Sequence, residues 1–320
     1  MKPLILISND DGYQAKGINE LVRMVADYGD IIVCAPDGGR SGKSCSFSME
    51  ALTLRHQATE GNIQTWVCSG TPVDCIKMAY SQLCPRKPTL ILSGINHGDN
   101  ASTNAHYSGT VGVVTEGAIK GIPSIAFSLC DYDDDANFEP MTNIVRTLVE
   151  KTLKDGMSKM TCLNVNFPKT EKPAGVKVCR MAHGHWRNEV EKCTHPSRGY
   201  DYYFMCGYYQ NDEPEAEDTD AWALLHNYVA ITPISVDITD FDYLKTLKLT
   251  INMPFALRLP PYGGKSDVDN IGVCVRRGER PHFYEILPYS WRGKWRPPCL
   301  TPYEGTQGTR QRSRVQILRW

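Results

Sequence analysis

The chain has 320 residues, enough to bury a large core in one big domain or two. With 41% apolar and 22% charged residues its composition is that of a globular protein, and a formal net charge of -1 gives no whole-chain field to draw it to nucleic acid or a membrane surface. No apolar run approaches the length of a membrane span, and Lys2 is followed by only a short apolar stretch that ends in Asp10 and Asp11, so no signal peptide is read and a cytoplasmic protein is expected.

Leu4-Ile5-Leu6-Ile7-Ser8-Asn9-Asp10-Asp11-Gly12 opens the chain with an aliphatic run that ends in two adjacent carboxylates and a glycine. A continuous aliphatic run is the pattern of a buried parallel strand, and ligands of open α/β sheets bind beyond the carboxyl ends of such strands. Two neighbouring carboxylates there repel each other and lose hydration unless a cation sits between them, and oxygen ligands favour a hard ion such as Mg²⁺ or Mn²⁺. Asn-Asp-Asp-Gly is also good turn chemistry, so both readings stand at this point. Residues 18, 21, 22 and 25 mark a helical stripe, and residues 30–36 read as a second strand closed by Pro36, which completes a βαβ unit.

The second strand runs into Asp37-Gly38-Gly39-Arg40-Ser41-Gly42-Lys43-Ser44, a polar, glycine-rich loop suited to a metal or phosphate. A short strand over residues 64–68 is followed by Thr71, a helix cap, with Pro72 at the first helical position. Residues 89–93 form another buried strand and deliver Gly94-Ile95-Asn96-His97-Gly98-Asp99-Asn100. Ser108-Gly109-Thr110 opens an apolar helix, where free N–H groups and the helix dipole favour an anion; N-capping by Ser108 or Thr110 is compatible with this. Strands are read at 124–129, 162–168 and 228–237, a helix over 140–153, an extended hairpin or arm over 176–210, and a solvated acidic loop over 212–220.

Twelve cysteines occur with no Cys-x-x-Cys spacing, and they read as small, reduced, buried hydrophobes. From residue 251 onward the chain carries 12 Lys and Arg against 5 Asp and Glu, with 8 of the 20 prolines, so a boundary is placed near 250. The resulting division is a domain over 1–250, with an oligomerisation arm within about 176–250, and a Pro/Arg-rich extension over 251–320 for which no function is read.

Three strand ends thus bring polar loops to one sheet edge. Asp10, Asp11, Ser41 and Asn96 together offer an all-oxygen ligand set for a divalent ion, beside an anion cradle at 108–110. In this order the motifs Ser8-Asn9-Asp10-Asp11-Gly12, Ala35-Pro36-Asp37 with Arg40-Ser41-Gly42, Ser69-Gly70-Thr71-Pro72, Ser93-Gly94-Ile95-Asn96 and Tyr107-Ser108-Gly109-Thr110-Val111 resemble the SurE-type survival-protein nucleotidases over roughly residues 4–240. The resemblance implies a Rossmann-like α/β fold, a mostly parallel sheet flanked by helices, with an extended C-terminal β-hairpin arm used in homodimers or homotetramers. It implies one divalent metal ion held by Asp10, Asp11, Ser41 and Asn96, phosphate contacts from Asn100, Ser108, Gly109 and Thr110, and a phosphatase acting on nucleoside monophosphates; on this basis 5′- and 3′-monophosphates are expected as substrates and Asp10 and Asp11 as the catalytic carboxylates, with Asp10 favoured to accept the proton of the attacking water.

Competing readings are a covalent aspartyl-phosphate route and a nucleotide-sensing protein without catalysis. His97 and His106 are candidate proton donors, and His183 and His185 structural or substrate-lining residues. Trp222, Tyr202 and Tyr203 are either packing residues of the arm or surfaces for a nucleobase.

Overall fold

The aliphatic run at the start of the chain forms β1 (Leu4–Ser8), buried along its whole length as a strand covered on both faces must be. The structure is a computed structural model and describes residues 2–133 and 135–247. The chain continues through α1 (Lys16–Val25), whose Ile18, Leu21 and Val25 form the expected buried stripe, into β2 (Asp30–Pro36). β3 (Leu54–Glu60) and β4 (Ile63–Cys68) make a hairpin, followed by α2 (Pro72–Gln82), β5 (Leu90–His97) and α3 (Gly109–Ile119). Next come β6 (Ser124–Leu129), α4 (Thr142–Asp155) and β7 (Thr161–Phe167). The remaining elements are β8 (Gly175–Val178), β9 (Gly184–Arg187), β10 (Val190–Thr194), β11 (Asp201–Met205), β12 (Tyr208–Asn211), α5 (Asp220–Leu225), β13 (Tyr228–Ser235) and α6 (Phe241–Thr246).

Nine strands form one sheet in the order β3-β4-β2-β1-β5-β6-β7-β13-β8. The six from β4 to β7 are parallel, β3 and β13 pair antiparallel with β4 and β7, and β8 runs parallel to β13. Strand order reverses at β1: β2 lies on one side of it and β5 on the other, with Ile5 opposite both Ile31 and Leu90. This is the topological switch point, and the crevice beyond its carboxyl ends is where such sheets bind ligands.

Alternation along β1 sends Ile5 and Ile7 into one core with α1 and α4, and Leu4 and Leu6 into the other with Ile76 and Ala79 of α2 and Val113, Val114 and Ala118 of α3. Each fully buried Leu, Ile or Val side chain among these stabilises the fold by about 2 kcal/mol. The expected cap of α2 forms: the Thr71 side chain accepts the Asp74 N–H at 3.2 Å, and Asp74 accepts the Thr71 N–H at 2.8 Å.

Asp74 also accepts the N–H and the hydroxyl of Ser48, at 3.0 and 2.7 Å, and so pins the long loop after β2. Arg40 N–H donates to the Asp10 carbonyl at 2.6 Å and Ser44 N–H to that of Tyr107 at 3.0 Å. These bonds hold the segment carrying Ser41 over the switch point.

The arm is two antiparallel ribbons, β9 with β12 and β10 with β11. Two expectations are corrected, and one strand that the sequence did not suggest is added. Residues 175–178 are the edge strand of the main sheet rather than part of the arm. β3 had no sequence signature because Leu-Arg-His-Gln-Ala-Thr-Glu is an exposed edge strand without an apolar run. The acidic stretch is not wholly solvated, since Asp220 is 0% exposed. The Pro/Arg-rich extension over 251–320 lies outside the described residues.

Candidate active site

Beyond the carboxyl ends of β1 and β5 lies a cavity of about 380 Å³. Asp10 and Asp11 line it from the turn after β1, Ser41 from the loop after β2, and Asn96 from β5. Asn100 and Ser108 complete the set of sequence-singled residues on its wall. Gly109 and Thr110 stand behind this wall, against Asp10.

Asp10 is 4% exposed. Thr110 Oγ1 donates to its Oδ1 at 2.5 Å, and the Gly109 N–H bonds its carboxylate as well. The start of α3 therefore faces a carboxylate of the protein's own, and Thr110 orients Asp10 instead of lining the cavity. Gly109 permits the approach: a Cβ there would fall 2.8 Å from Asp10 Cβ and 3.0 Å from Pro72 Cγ. Burial, then the neighbouring Asp11 charge, push the Asp10 carboxyl up to about 6, against the hydrogen bonds that favour its ionised form. Burial likewise raises Asp11, which the His97 N–H partly offsets.

The neutral donors are oriented by their own bonds. Asn96 Nδ2 donates to the carbonyls of Gly98, at 2.9 Å, and His97, at 3.2 Å, which leaves Oδ1 as its open ligand atom. Asn100 is held from three directions: its N–H donates to Asn166 Oδ1 at 2.7 Å, its carbonyl accepts from Asn164 Nδ2 at 2.8 Å, and its Nδ2 donates to Ser128 Oγ at 2.8 Å. One Nδ2 hydrogen remains. Ser108 caps α3 by accepting the Val111 N–H at 3.1 Å, which leaves its hydroxyl hydrogen to donate.

The residues present fit a hard divalent ion. Asp11 Oδ2 is buried and without a hydrogen-bond partner, a state that costs free energy unless a cation or donor meets it. Among the described residues no three His, Cys, Asp or Glu side chains converge on a metal site. The candidate set is two carboxylates with the neutral oxygens of Ser41 and Asn96, whose charge of two balances a divalent ion and whose oxygens suit Mg²⁺ or Mn²⁺.

Of the histidines, His97 lines the cavity and packs edge-on against Phe138, while His106 does not line it. His185 Nδ1 sits 3.0 Å from Asp212 Oδ2, outside the cavity. The aromatic residues considered for a nucleobase also lie elsewhere: Trp222 stacks on His226 at 3.8 Å under Lys177, and Tyr202 packs on Phe204. Tyr132 and Trp186 line the cavity instead. Neither carries a local signal, because each is brought in by a turn or ribbon whose path the sequence does not disclose.

The family profile described as survival protein SurE matches residues 5–188. Over 248 residues the chain is 48% identical to a protein of Phocaeicola vulgatus named 5′-nucleotidase SurE, covering 77% of this chain and 96% of that one. A Bacteroides thetaiotaomicron protein of the same name is 48% identical over 252 residues, covering 77% and 95%. The crystal structure of a SurE protein from Aquifex aeolicus superposes with a TM-score of 0.66 at 36% identity, covering 77% of this chain and 98% of that one. With the matched span, the identity and the shared architecture in agreement, the chain belongs to the survival protein SurE family.

Proposed function

We propose that this chain is a divalent-metal-dependent phosphomonoesterase that releases phosphate from nucleoside 5′- and 3′-monophosphates. One observation carries the reading: the carboxylates of Asp10 and Asp11 share one cavity at the switch point of the sheet with the neutral side chains of Ser41 and Asn96 and with Ser108, the N-cap of α3. The relatives named 5′-nucleotidase support the nucleotide as substrate. Mg²⁺ or Mn²⁺, held by Asp10, Asp11, Ser41 and Asn96, would neutralise phosphoryl charge and acidify water.

The chain's own groups do the rest. Asp10, with a carboxyl near 6, accepts the proton of the attacking water, and the Thr110 hydroxyl and Gly109 N–H keep it oriented. The Ser108 hydroxyl and the remaining Asn100 amide hydrogen donate to phosphate oxygens, preorganised by the bonds that already hold both residues. The arm supports assembly into a dimer or tetramer, because Val190, Phe204 and Met205 on its β10–β11 ribbon are exposed apolar groups suited to a second copy.

The test is phosphate release from the four common nucleoside 5′-monophosphates and their 3′ isomers, with Asp10→Asn as control. Release by the wild type, lost in the variant, is expected. Saturable nucleotide binding without release would replace the enzyme with a nucleotide sensor.

A further inference from the structure

Two of the aromatic rings that line the cavity, Tyr132 and Trp186, are held by contacts of their own. Tyr132 is 74% exposed, and its ring rests against backbone. It lies on Gly98, where a Cβ would fall 2.3 Å from Tyr132 Cε1 and 2.7 Å from Cζ. Trp186 reaches the cavity from β9 of the arm. Its Nε1–H donates to Asn104 Oδ1 at 2.9 Å, and Asn104 Nδ2 donates to Asp99 Oδ1 at 3.2 Å. Tyr209 supports the indole edge-on, with ring centroids 6.5 Å apart.

Anchoring of this kind removes the rotamer entropy that an exposed aromatic side chain loses when it binds something. Other aromatics of the arm and its base pack on one another, such as Tyr202 on Phe204 and Trp222 on His226. Tyr132 and Trp186 instead line the cavity that holds Asp10, Asp11 and Asn96. With the phosphate directed to Ser108 and Asn100, the part of a nucleotide left to contact the rim is its flat, apolar-faced ring.

We infer that Tyr132 and Trp186 are the nucleobase-binding walls of the site, holding the base by ring stacking. This rests on the phosphomonoesterase reading and deepens it. The indole N–H is engaged by Asn104, so Trp186 presents a base with its face only, and stacking on a face tolerates every base. The walls therefore set KM, with little discrimination among the four bases.

The test compares AMP with ribose 5-phosphate, the same ester without its base, in the wild type, Tyr132→Ala, Trp186→Ala and Trp186→Phe. The kcat/KM preference for AMP over ribose 5-phosphate is expected to fall about tenfold in each alanine variant, through KM, because a stacked base contributes on that order. Trp186→Phe keeps a ring and is expected to keep most of the preference. Across AMP, GMP, CMP and UMP the wild type is expected to vary by only a few-fold. An unchanged preference in both alanine variants, or loss in kcat alone, would overturn the assignment. If the wild type releases phosphate from neither ester, the hydrolase reading fails. Calorimetric affinities for the two compounds then decide this inference: a loss confined to AMP upholds it, and equal losses overturn it.

Discussion

Thr110 Oγ1 donates to Asp10 Oδ1 at 2.5 Å across 100 residues of sequence, joining the first turn of α3 to the end of β1. The bond fixes one carboxylate oxygen and so the direction of the other. Thr110→Val keeps the shape and removes the donor. It is expected to lower kcat about a hundredfold, the scale of losing one preorganised donor, while Thr110→Ser retains most of the rate. Steady-state kinetics on AMP check both.

Gly109 tests the same junction by crowding. An added Cβ would sit 2.8 Å from Asp10 Cβ, so Gly109→Ala must displace Asp10 or α3. A displacement of about 1 Å at a reacting group costs on the order of a hundredfold in rate. The expected result is a larger loss in kcat than in thermal stability, read from kinetics and melting curves on the same sample.

The Asp10 carboxyl also opposes folding. Its folded value, pushed up to about 6 by burial and by Asp11, lies above the ordinary 3.8, so the folded state holds the proton more tightly than the unfolded chain does. Stability from this group is therefore greatest below about 4 and declines as pH rises through about 6, a loss of up to about 3 kcal/mol. Asp10→Asn is expected to abolish phosphate release yet stabilise the metal-free protein at about pH 7, by an amount that vanishes near pH 4. Urea denaturation at the two pH values measures it; equal effects at both would contradict the sign.

Asp220 joins the arm to the site. It accepts from Ser102 N–H at 2.8 Å, Ser102 Oγ at 3.2 Å and Ala182 N–H at 2.9 Å, all buried. Asp220→Ala leaves these donors unpaired and is expected to destabilise the fold by about 3 kcal/mol. Asp220→Asn, which keeps one accepting oxygen, is expected to cost less. Chemical denaturation ranks the three proteins.

Much of this architecture was legible because its signals are local. The aliphatic run of Leu4 to Ile7, the stripe of Ile18, Leu21 and Val25, and the Thr71-Pro72 start of α2 are each written within a few residues. Asp10, Asp11, Ser41 and Asn96 were legible as a group because parallel strands send their carboxyl ends to one edge, whatever the loop detail. The rest depends on distant partners. The role of Thr110 as an orienting donor needs Asp10, and the burial of Asp220 needs Ser102, 118 residues away. Tyr132 gains its place from Gly98, and Trp186 from Asn104. No composition or periodicity records such pairs.

In the proposed reaction, phosphate release depends on one divalent ion held by Asp10, Asp11, Ser41 and Asn96. The most direct measurement is phosphate release from AMP by chelator-stripped protein as Mn²⁺ is added back, alongside Asp11→Asn. No release is expected without metal, saturable recovery with one bound ion per chain, and failed recovery in the variant, because Asp11 Oδ2 is a buried cavity-side oxygen without a hydrogen-bond partner. Undiminished release in the stripped wild type, or full Mn²⁺-dependent recovery in Asp11→Asn, would contradict this expectation.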